Sequence, residues 1–218
     1  MSTAVVACGA LAVHVRAIAR RRGWDVEVHP VPALLHNHPE RIPGAVAQLA
    51  ERHDRVVLAY GDCGTYGALD GYDRLRGEHC YDVFAAEEVA RAAAEEPGTY
   101  FLTDFLARTF EHTVVRQLGL DRHPDLRDAY FGAYTRVVWL AQRRTPATER
   151  AARRAAQRID LPLEVREVGD GGLERELERL VATPPPRRFP APALSARPER
   201  PPRRRPSAAP SRDRTAAR

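Results

Sequence analysis

Lysine is missing from this chain, serine is nearly so, and cysteine occurs only three times. All 34 basic side chains are arginines, a compositional bias from which no function follows. Before residue 184 the only serine is Ser2, which excludes a serine hydrolase. Three cysteines, an odd number without a Cys-x-x-Cys pair, argue against a disulfide framework. No apolar stretch approaches the ~20 residues of a membrane span. The opening residues lack a positively charged leader region and read directly as a strand, so the expected location is the cytoplasm, where thiols stay reduced. Neither G-x-x-x-x-G-K-[ST] nor G-x-G-x-x-G is present, so there is no nucleotide motif.

What is present fits an ordinary globular chain. Its 218 residues are 44% hydrophobic and 29% charged, enough for one core without covalent staples. The net charge of +5 is unevenly placed. Ten arginines against Glu199 and Asp213 give the stretch from Pro184 onward +8, which leaves −3 for the rest. A mildly acidic domain is not a nucleic-acid-binding fold with a basic face. Residues 1–183 are therefore read as a single α/β domain. Residues 184–218 are read as a disordered Arg/Pro-rich tail, able at most to make weak contacts with RNA or anionic lipid.

Along the domain, apolar strand-like runs alternate with helical ones. Strands are expected near 3–7, 24–29, 55–60, 99–102, 136–141 and 163–168. Helices are expected near 10–22, 43–53, 82–96, 105–114, 124–132, 146–158 and 173–181. Continuous apolar strands separated by helices indicate a Rossmann-like, doubly wound, mostly parallel sheet with helices on both faces.

In such folds, ligands bind beyond the carboxyl ends of the strands. Cys8 follows the first strand, Cys63 lies just past the third, and Cys80 closes the glycine-rich loop that begins at Gly61. The three thiols can converge on one rim. A thiolate trio suits zinc or an iron–sulfur cluster with one open position. Gly9, Gly61 and Gly64 would let backbone amides approach the sulfurs, and His36, His38 or His79 would supply a fourth ligand. Inert core packing of the cysteines is the competing reading. A third is a metal-free enzyme with Cys63 as nucleophile, its pKa lowered by loop amides. Asp62, His79, Asp104 and His123 are the acid–base candidates. Asp104 reads equally well as a helix cap, and His123 as part of a helix-start turn.

Several strings occur together: Ala7-Cys8-Gly9-Ala10-Leu11, Leu34-Leu35-His36-Asn37, Tyr60-Gly61-Asp62-Cys63-Gly64, His79-Cys80-Tyr81, the run from Thr99 to Phe105, and the run from Leu118 to Pro124. In combination they resemble the uncharacterised family called domain of unknown function 1638, over about residues 4–170. The resemblance implies that the three cysteines occupy family signature positions. It also implies a role in methyl-group or corrinoid one-carbon metabolism, with a corrinoid protein or methyltransferase as partner. A non-catalytic accessory protein docking on such a partner is the alternative.

Overall fold

The computed structural model describes residues 3–182, so the tail expected over 184–218 lies outside the described residues. The elements are β1 (Thr3–Cys8), α1 (Ala12–Arg22), β2 (Val26–Val31), α2 (Ile42–Ala50), β3 (Arg55–Ala59), β4 (Asp73–Arg74) and α3 (Cys80–Glu95). There follow β5 (Thr99–Thr103), α4 (Asp104–Phe110), α5 (Arg127–Phe131), β6 (Arg136–Ala141), α6 (Pro146–Arg158), β7 (Leu163–Glu167) and α7 (Gly171–Ala182). No helix among the described residues is long and apolar enough to cross a membrane.

The fold is α/β and its strands are all paired in parallel. They form two sheets, ordered β2-β1-β3-β4 and β5-β6-β7, where the sequence suggested one. The cause lies in the loop after β3. Asp73 and Arg74 pair with Val57 and Leu58, which fills the free edge of β3 and leaves β5 to begin a new sheet. Two residues carry no periodicity, so β4 has no signature in the sequence.

Burial follows position in the sheet. All six residues of β1 are buried because it is covered on both faces and both edges. Strand β2 is an outer strand and tolerates Pro30, whose missing N–H costs nothing on the side that has no partner strand. In the second half, α6 starts with a reciprocal Thr145–Thr148 capping box and Pro146 in its first turn. It lays Ala151, Ala152, Ala155 and Ala156 into a core around Trp139.

Two elements cross between the halves. Helix α3 leaves the first half, departs from helical geometry at Ala85, and leads into β5. Helix α7 leaves β7 and returns, burying Leu173, Leu177 and Leu180 in the first core. The crossings touch at Gly172, where a Cβ would lie 2.2 Å from the Phe84 carbonyl oxygen.

Candidate functional site

A cavity of about 860 Å³ opens where the two halves face each other. Cys8, Cys63 and Cys80 all line it. Cys8 is the last residue of β1, and the amide of Gly9 donates to the Val31 carbonyl at 2.8 Å, holding the turn against β2. Cys63 and Cys80 come together through backbone pairing. Asp62 N donates to Gly77 O at 3.0 Å and Cys63 N to Glu78 O at 2.7 Å, so segment 61–63 runs beside segment 77–79. Gly61 permits that approach, since a Cβ there would meet Gly77 O at 2.9 Å. Cys63 itself has φ 51°, a left-handed conformation that non-glycine residues avoid, followed by Gly64 at φ 77°. Outliers of this kind persist only when the surrounding structure holds them, and they gather at ligand sites.

The sulfurs are surrounded by donors. The amides of Ala10 and Leu11 and the Tyr60 hydroxyl favour the Cys8 thiolate, and the Gly61 amide favours that of Cys63. Burial nevertheless dominates. It pushes the Cys8 thiol above its ordinary value and Cys63 up to about 12, the neighbouring Cys8 adding to the latter shift. Cys80 is also pushed well up, first by burial and then by Cys8 and Cys63. The three thiols therefore oppose one another's ionisation. The net Cys63 pKa is raised, contrary to the expectation from the loop, because desolvation outweighs the lowering by the Gly61 amide. The three sulfurs do not all fall within 4.8 Å of one another, so sharing one ion requires a side-chain rotation.

His36, His38 and His79 line the same cavity. Burial holds the His36 imidazole below its ordinary value, with His79 nearby contributing, which keeps a nitrogen lone pair free. The His38 side chain is 59% exposed and lies 3.7 Å from the Glu40 carboxylate. His79 caps α3: its amide donates to Asp82 Oδ2 at 2.9 Å, and its ring stacks on Tyr81 at 4.9 Å.

The remaining acid–base candidates fall elsewhere. Asp62 organises the loop, accepting from Gly67 N at 2.9 Å and Tyr66 N at 3.1 Å, and these hydrogen bonds hold its carboxyl below the usual range. Thr103, not Asp104, caps α4, accepting from Leu106 N at 3.3 Å. Asp104 is buried and joins β5 to the end of β6. It accepts from Trp139 Nε1 at 2.8 Å, Gln142 N at 3.3 Å and Arg143 N at 2.8 Å. His123 sits in an exposed turn and does not line the cavity.

Sequence reasoning missed the opposite wall of the cavity, which the second half supplies. Tyr100, Phe101, Phe105, Tyr130, Phe131 and Tyr134 line the cavity together with the cysteines. Tyr100 meets Phe131 and Tyr134 edge-on at 5.6 and 5.3 Å, and Phe101 stacks with Tyr81 at 5.4 Å. Most of these aromatics belong to β5, α5 and the segment after it. They read as core residues because the sequence cannot show that a second sheet turns them toward the first. Tyr60, the partner of Cys8, carried the best available signal: it directly follows a buried strand.

A family profile described as "Protein of unknown function (DUF1638)" matches residues 30–177. Cys63 and Cys80 fall within the match and Cys8 precedes it. Neither the curated proteins nor the solved structures hold a match to the chain.

Proposed function

The chain belongs to the DUF1638 family of proteins of unknown function, and from that premise and the cavity's geometry we propose that it binds a thiophilic metal ion or an iron–sulfur cluster through Cys8, Cys63 and Cys80. The single observation that carries the reading is that three cysteines distant in sequence line one cavity at the strand ends. The donor set fits: soft sulfur ligands, nearby amides that favour their thiolates, and neutral imidazole at His36 as a further ligand. Three neighbouring thiols that resist ionisation become favourable ligands when a cation replaces their protons. Bound there, zinc or a cluster with an open position would supply a Lewis-acid centre. The protein's own part is to hold the sulfurs out of water and present an aromatic wall to a ligand beside them.

A cavity of about 860 Å³ is the size of a small-molecule site. The methyl-group chemistry and the corrinoid or methyltransferase partner implied by the resemblance complete the proposal, as the source of that ligand. A metal-free thiol nucleophile is the weaker reading, because a Cys63 pKa near 12 leaves almost no thiolate at neutral pH.

Anaerobic purification followed by metal analysis and absorption spectroscopy tests the proposal. A sulfur-bound metal or a cluster chromophore is expected in the wild type and is expected to be lost in Cys63→Ala. Metal-free, colourless protein whose Cys63→Ala variant is indistinguishable from it would remove the idea. An affinity pull-down tests the partner: recovery of a corrinoid protein with all three cysteines dispensable would favour a docking role without a metal.

A further inference from the structure

Strand β2 carries Glu27 and His29 two residues apart, so both side chains leave the same face of the strand. The turn joining α2 to β3 brings His53 to them, its amide closing the helix end by donating to Ala50 O at 3.3 Å. One ligand atom from each of Glu27, His29 and His53 lies within 4.8 Å of the other two. His29 Nε2 stands 3.3 Å from a Glu27 carboxylate oxygen, yet it is buried from solvent and makes no hydrogen bond. The two imidazoles lie with centroids 4.6 Å apart, tilted by 49°. A nitrogen hidden from water and left without a partner is costly. A cation placed among these three groups would satisfy it.

We propose that Glu27, His29 and His53 form a second metal site, for a zinc-class divalent cation, that ties the outer strand β2 to the α2–β3 turn. Two imidazoles and one carboxylate are a donor set that zinc, cobalt and nickel all accept, and three protein ligands leave a position for water. The site is separate from the cysteine cavity: His53 precedes β3, whereas Cys63 follows its far end. Holding β2 in place also restrains an unpaired strand edge, which is otherwise free to pair with another chain. The chemistry differs as well, since no sulfur takes part.

The test uses the full chain and two probes, zinc and cobalt(II). Zinc is expected to shift the ring signals of His29 and His53 together in a long-range ¹H–¹⁵N spectrum. His53→Gln and Glu27→Gln are expected to weaken this event at least tenfold. Both variants should keep the metal-free melting profile of the wild type, because these side chains lie at the surface or only partly beneath it. Cobalt separates the two sites. Absorbance from sulfur-to-cobalt charge transfer reports the cysteines alone and should be unchanged in His53→Gln. Ring signals that do not move with zinc, or equal zinc affinity in wild type and His53→Gln, would overturn the proposal whatever happens at the cysteines.

Discussion

A buried carboxylate surrounded by donors and a carboxylate in a reactive cleft call for opposite expectations on substitution. Asp104 is 2% exposed, with an indole N–H and two backbone amides directed at it, and its own amide donates to Gln142 Oε1 at 2.8 Å. Asp104→Ala would leave two buried donors and one partly buried donor unsatisfied, and a loss of about 3 kcal/mol or more in denaturant unfolding is expected. Metal content per folded molecule should not change. His14 gives the pH dependence. Burial pushes its imidazole below the ordinary 6.5 and Arg108 pushes the same way, while Asp104 and Asp170 oppose them. The folded state therefore favours the neutral ring. The stability this confers is complete above pH 6.5 and is lost as pH falls through the lower, folded value. Denaturation midpoints measured from about pH 8 down to 5 should show this acid limb, and His14→Gln should flatten it. At this scale the sequence revealed which residue types were available but not how they were used. Asp104 and Asp62 read as acid–base candidates from their type, while their hydrogen-bond partners, remote in the chain for Asp104, appear only in the fold.

Elements were more legible. Gly23 ends α1 in a left-handed conformation (φ 64°), as its place after the helical run suggested. Apart from β4, the strands fall close to the predicted runs, most plainly β1, which is covered on both faces and apolar almost throughout. The segment from Gly61 to His79 was opaque, since its order comes from backbone pairing between two non-periodic stretches and from the two-residue strand β4. That pairing is what brings Cys63 toward Cys80. Gly61→Ala is expected to force the stretches apart, costing about 1–3 kcal/mol in stability. It should also weaken metal retention although no cysteine is changed. Thermal melting and metal analysis of the same preparation check both effects.

At the scale of the molecule, two parallel sheets are joined by α3 and α7, and thiols and aromatics line one cavity. That all three cysteines line one cavity agrees with their positions in the loops after strand ends. The division into two sheets was not legible in the sequence, because it is decided by which strand reaches the edge of β3. Gly172→Ala places a methyl group against the Phe84 carbonyl where the two crossings touch, and a loss of about 1–3 kcal/mol is expected in denaturant unfolding. The central claim is that three sulfurs meet at one metal, and X-ray absorption at the edge of the metal bound by the His53→Gln variant, which lacks the second site, counts them. Three sulfur neighbours at about 2.3 Å for zinc is the predicted result. A bound metal with a shell of nitrogen and oxygen alone would contradict it.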